Sequence, residues 1–133
     1  MTAARREELD VPGQAPPISH YAHAVRVQGA LLFVSGIVPV DEHGALLGGG
    51  DVVEQARVVF RNLGAVLAAA GAGFEDVAKV TVYLTDVDDR PLINPVRQEV
   101  FGAARPASTL VEVARLAVEG AKLEVEAVAV VRS

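Results

Sequence analysis

Arg105-Pro106-Ala107-Ser108-Thr109-Leu110-Val111-Glu112-Val113-Ala114-Arg115-Leu116 is the stretch on which the fold turns. A helix-compatible segment runs into it and stops at Pro106, whose ring cannot continue a helix and which pushes the residue before it toward extended backbone. Residues 109–113 are then rich in strand-forming side chains and read as a β-strand. A strand therefore returns directly after a helix. How often the rest of the chain repeats that return sets the fold class.

Upstream, Asn94-Pro95 predicts the start of that helix, Asn as cap and Pro at the first helical position, running to about Ala103. The acid-rich segment 86–90 reads as a turn. Before it, Val77-Ala78-Lys79-Val80-Thr81-Val82-Tyr83-Leu84 alternates. Lys79, Thr81 and Tyr83 share one face, and Val80, Val82 and Leu84 share the other. An earlier helix begins at Asp51-Val52-Val53-Glu54, which has the form of a capping box. Apolar residues at 52, 56, 59, 60, 63, 66, 67 and 70 make one buried stripe, and Gly71 suits its C-terminal cap. Residues 24–28 and 31–34 flank Gly29-Ala30 and predict a β-hairpin ending at Ser35-Gly36. Residues 1–17 are polar or proline-rich and read as a flexible tail, with room for a short extended arm, before a single domain over 18–133. Downstream, a turn at Glu119-Gly120 leads into a last strand over 123–131.

The order ββαβαββ predicts an α+β fold, a mixed sheet with two helices packed on one face. The other face is left bare. In a chain that is 51% hydrophobic, copies of the chain itself would cover that face and leave clefts between neighbours.

Composition narrows the function. The 133 residues suit one domain, and with only 5% aromatics its core must be built from Val and Ala. Net charge is −5, and the longest basic cluster, Arg5-Arg6, is followed at once by Glu7-Glu8. A nucleic-acid binder needs a basic footprint against phosphates, so nucleic acid is not an expected partner. The chain has no cysteine, which excludes disulfides and thiolate metal sites. No apolar run approaches the ~18–20 residues of a membrane span. The first residues lack the apolar core of a secretory signal, so a cytoplasmic location is expected.

Most local motifs fail on their own chemistry. His20 and His23 lie three apart without a third His or Cys nearby, too few ligands for zinc. Ser35-Gly36 lacks a nucleophile elbow, and Gly48-Gly49-Gly50 lacks the Lys-Ser/Thr of a phosphate loop. Glu124 and Glu126 are the exception. They alternate with Leu123, Val125 and Ala127, so both carboxylates share a sheet face. A solvated face is the plain reading, but a carboxylate desolvated in a cleft becomes a base for water.

Together these pieces resemble the RidA (YjgF) family. The matching segments are Ser19-His20-Tyr21-Ala22-His23-Ala24-Val25, Phe33-Val34-Ser35-Gly36 with Pro39, Glu54-Gln55-Ala56, Asn62-Leu63, and residues 66–71 and 76–84. The last group is Asn94, Phe101, Pro106-Ala107, and residues 111–116 and 123–129. The resemblance implies a chorismate-mutase-like homotrimer with clefts between subunits. It implies hydrolysis of reactive enamines or imines, released by pyridoxal-phosphate enzymes, to 2-keto acids and ammonia without a cofactor. Carried over by motif, Glu124 positions water, and Tyr21, Ser35, Gly36 and Asn94 line the cleft, with Ser108 and Leu110 on the strand beside it.

At one position the pattern breaks. Where the family has an arginine that grips the substrate carboxylate, this chain has Ser108. Arg105 is three residues away, about 10 Å along an extended strand and on its other face. Further departures are Ile37 and His23, where the family pattern has Gln. Exchanging a bidentate guanidinium for one hydroxyl removes about 2–4 kcal/mol, or ~30- to 1,000-fold in carboxylate affinity. Three readings follow: a deaminase-like hydrolase with altered substrate, a trimer that binds a metabolite or regulates another enzyme without turnover, and an endoribonuclease, against which the acidity argues. Ser108→Arg would be expected to raise activity on small 2-imino acids.

Overall fold

The computed structural model describes residues 5–131. Its elements are β1 (Arg6–Leu9), β2 (Ala24–Val27), β3 (Ala30–Ile37), α1 (Val52–Ala69), β4 (Val77–Leu84), α2 (Arg90–Phe101), β5 (Ala107–Glu112) and β6 (Leu123–Val131). Strands β3, β6, β4 and β5 form one sheet in that order. All its pairs are antiparallel except β4 with β5, and β1 and β2 form a separate two-stranded sheet. The fold is thus α+β with a mixed sheet and two helices, as the order of elements implied. Among the described residues no helix is long and apolar enough to cross a membrane.

Both helices lie on one face of the large sheet. Helix α1 starts at Asp51, whose carboxylate accepts from the amides of Val53 (2.9 Å) and Glu54 (3.3 Å). These two bonds satisfy donors that the first helical turn leaves unpaired. Its buried stripe of Val52, Ala56, Val59, Phe60, Leu63 and Leu67 meets Val80, Val82 and Leu84 of β4 and Leu123 and Val125 of β6. Phe101, at the end of α2, stands edge-on to Phe60 and Phe74 with ring centroids 6.1 and 5.3 Å away. Val66 is the exception to the stripe and stays 38% exposed.

Two local expectations, the hairpin and the start of the second helix, do not hold. Ala24–Val27 and Ala30–Ile37 are not a hairpin: β2 pairs with β1, and β3 pairs with β6. Gly29, at φ +135°, carries the chain from one sheet to the other. The positive φ favours glycine, and a Cβ there would also sit a tight 3.0 Å from the Val130 side chain. Within the segment read as a tail, Arg6–Leu9 pairs as a strand along β2, in register Arg6 to Val27. Helix α2 starts at Arg90, one turn before Asn94-Pro95, with Pro91 in its first turn and Pro95 inside it, and it ends at Phe101. Pro91 meets the same first-turn requirement that was assigned to Pro95, and nothing local distinguishes the two.

Candidate functional site

Alternation along the strands sorts the candidate residues onto opposite faces of the large sheet. Ser108 pairs with Val80 and Leu110 with Val82, so both point toward the helices. Glu124 pairs with Tyr83 and Glu126 with Thr81, so both carboxylates point to the bare face. Ser35 and Gly36 flank that second group, at a bulge in β3 where two residues stand opposite the single Glu126. The chain by itself therefore brings together Tyr21, Ser108 and Leu110, and separately Ser35, Gly36 and Glu124.

The helix-side group lines a cavity of about 250 Å³ with Ile18, Ser19, Val87, Arg90 and Arg97. Arg97 is the residue that motif reading missed. It sits four residues after Ile93 and four before Phe101, on the buried stripe of α2, and is only 1% exposed. That helical spacing was the available signal. Its Nη2 donates to Ser108 Oγ at 2.9 Å, while its Nε is buried without a partner. Burial pushes the guanidinium down to about 10, with the neighbouring Tyr21 acting weakly the other way. No carboxylate pairs with it among the described residues. Arg90 Nη1, on the same helix, donates to Ile18 O and Ser19 Oγ, both at 3.2 Å.

Asn94 does not line the cavity. Its Oδ1 accepts from the His20 amide at 3.2 Å, which pins the loop that carries Tyr21. The histidines do similar work. His20 Nε2 donates to Gly102 O and Ala104 O. His23 accepts from the Val11 amide at Nδ1 and donates to Ala15 O from Nε2. Ala22 N donates to Pro106 O at 3.1 Å, laying the loop along the start of β5. Arg105 is fully engaged elsewhere, with Nη2 2.6 Å from Asp10 Oδ2 and Nε 3.3 Å from Glu8 Oε1. It cannot take the place of the family arginine.

On the bare face, Tyr83 Oη donates to Glu126 in a short hydrogen bond, which raises the phenol's pKa and occupies that carboxylate. Glu124 is left beside Gly36. A Cβ at position 36 would fall 1.9 Å from Glu124 Oε2, so this carboxylate lies directly against glycine backbone. Apolar side chains surround the group: Phe33 is 74% exposed, Leu31 49% and Val111 40%. Such a patch on a sheet face is unusual for a surface meant to meet only water.

Comparison with known proteins agrees on one family. The family model described as Endoribonuclease L-PSP matches residues 12–131. A RutC family protein of Pyrococcus abyssi is 42% identical over 124 residues, covering 92% of this chain and 96% of that protein. The mouse 2-iminobutanoate/2-iminopropanoate deaminase is 35% identical over 130 residues, covering 98% and 95%. Among solved structures, the Rid family protein YyfB of Yersinia pestis superposes with a TM-score of 0.89 at 27% identity, covering 96% of this chain and all of that one. A YjgF family member from Neisseria meningitidis gives 0.68 at 29% identity, covering 96% of each chain. With a family model spanning nearly the whole chain and relatives above 40% identity over its length, this protein belongs to the RidA (YjgF) family.

Proposed function

We propose that this protein is a cofactor-independent, imine deaminase-like hydrolase that works in clefts between the subunits of a homotrimer. One observation carries the reading: the two groups of polar residues lie on opposite faces of one sheet, on elements that a second copy can approach. Packing the bare face of one subunit against the rim of the next sets Glu124, with Ser35 and Gly36, opposite the Tyr21–Arg97–Ser108 cavity. It also buries Phe33, Leu31 and Val111.

In such a cleft, Glu124 accepts a proton from water as the oxygen adds to the imine carbon. The nitrogen of the resulting carbinolamine takes that proton back, and ammonia leaves as the C–N bond breaks, the C=O bond forms and the hydroxyl proton passes to Glu124. Carbon keeps its oxidation state, so water and a positioned base suffice. The naming of mammalian relatives as 2-iminobutanoate/2-iminopropanoate deaminases supports this substrate class. Cleavage of RNA is a poorer fit, because a chain of net charge −5 offers no basic track for a phosphate backbone.

The test is ammonia release from freshly generated 2-iminobutanoate and 2-iminopropanoate, with sedimentation velocity to establish the trimer. Turnover that disappears in Glu124→Gln while the assembly persists is the expected result. No turnover above buffer across the panel would leave a metabolite-binding trimer as the correct reading.

A further inference from the structure

Among the described residues, arginines withdrawn from solvent have acids beside them, except the two that line this cavity, Arg90 and Arg97. Arg5 faces Asp76 at 3.4 Å, Arg6 faces Glu8 at 2.7 Å, and Arg105 faces both Glu8 and Asp10. Among the described residues Arg97 is the most buried arginine, and the hydrogen bond it makes there goes to the neutral hydroxyl of Ser108. The chain has 17 acidic residues, yet none lines the Arg97 cavity. The lining is apolar, hydroxylic or cationic, and Arg90 adds a second guanidinium. Withdrawing a charge from water is costly unless an opposite charge meets it. This pocket therefore lacks an anion, and the planar fork of a guanidinium seats a carboxylate through two parallel hydrogen bonds.

Size bounds that anion. At ~30 Å³ per water, a cavity of about 250 Å³ has room for roughly eight small heavy atoms. Ile18, Val87 and Leu110 supply apolar wall for a short carbon chain.

We propose that Arg97 is the carboxylate-binding residue of this cleft, with Ser108 orienting it, so that the ligand is a short 2-imino or 2-oxo carboxylate. The inference rests on the cavity being the ligand cleft, as in the reading above. The guanidinium then reaches the site from α2, while β5 contributes only the hydroxyl that holds it. The substitution at Ser108 has moved the charge within the site rather than removed it.

Titration calorimetry with 2-oxobutanoate, and with butanone as its neutral counterpart, tests this without requiring turnover. The wild-type protein is expected to bind 2-oxobutanoate and to show no heat with butanone. Arg97→Gln should weaken binding ~30- to 1,000-fold, the worth of two charge-assisted hydrogen bonds. Arg97→Lys, which keeps the charge and loses the fork, should fall between them, and Ser108→Ala should cost less than Arg97→Gln. Amide NMR spectra confirm that each variant is folded. Equal affinity in wild type and Arg97→Gln, or equal affinity for ketone and oxo acid, overturns the proposal. Should Arg97→Gln not fold, unchanged affinity in Arg97→Lys would overturn it on its own. Binding without ammonia release would defeat the hydrolase reading and leave this inference standing. Turnover with no carboxylate preference would do the reverse.

Discussion

Replacing Arg97 by methionine should make the ligand-free protein more stable, the opposite of what deleting a buried side chain usually does. Methionine fills a similar linear volume and carries no charge. Burial holds the guanidinium down at about 10, well below its ordinary range. At ~1.36 kcal/mol per unit, the charged form is disfavoured by about 3 kcal/mol relative to the unfolded chain. Losing the bond to Ser108 returns about 1 kcal/mol of that. The net gain is on the order of 2 kcal/mol, or a Tm rise of about 4–16 °C for a domain in this size range. The sign with pH follows from linkage. Because the folded value is the lower one, the wild-type penalty is complete below about 10 and is relieved as pH climbs from there toward the guanidinium's ordinary range. The advantage of Arg97→Met should therefore shrink across that interval. Urea unfolding at neutral pH and along an alkaline series measures both effects. A variant less stable than wild type by more than about 1 kcal/mol would refute the reasoning, showing that Arg97 meets a structural partner such as an acid of a neighbouring copy.

Three further outcomes follow from the same geometry. Ser108→Arg, attractive from the sequence alone, should not improve activity by itself: two guanidinium groups about 4 Å apart repel by roughly 4 kcal/mol at an effective dielectric of 20. Combined with Arg97→Gln it should recover 2-oxobutanoate binding, and calorimetry on single and double variants reads the difference. Gly36→Ala should displace the Glu124 carboxylate, since the added methyl would sit 1.9 Å from Oε2, while φ at this position is not in the left-handed region. Ammonia release should fall toward that of Glu124→Gln with the unfolding midpoint nearly unchanged. Finally, β1 should detach in acid. Glu8 is raised by burial but lowered more by the Arg105 amide and Arg6, and Asp10 is lowered by its ion pair with Arg105. Both therefore stabilise the arm above the ordinary carboxylate range and lose that contribution as pH falls through their depressed values. Hydrogen exchange at residues 6–9 should rise there before exchange in β4 and β6 does.

The sequence by itself determined most of the architecture, because the signals involved are local. The capping residue Asp51, the apolar stripe through Leu63 and Leu67, and the alternation of β4 each declare their element within a few residues. Alternation also placed Glu124 and Glu126 together, and the order of elements implied a sheet with one uncovered face. What the sequence could not determine was partnership. Gly29 reads as a hairpin turn, but whether it joins two paired strands or passes between sheets depends on β1 and β6, which lie far away in the chain.

The site illustrates the same limit. Motif by motif, Ser108 reads as a lost arginine, because a motif records which residue stands at a position and not which side chains arrive from elsewhere. Only the packing of α2 over β5 reveals that Arg97, eleven residues earlier and on a different element, brings a guanidinium to that hydroxyl. Tertiary structure also decided that Glu124 and Ser108 face away from each other. A strand alternates its side chains rigidly, so no single copy of this sheet can bring both to one ligand.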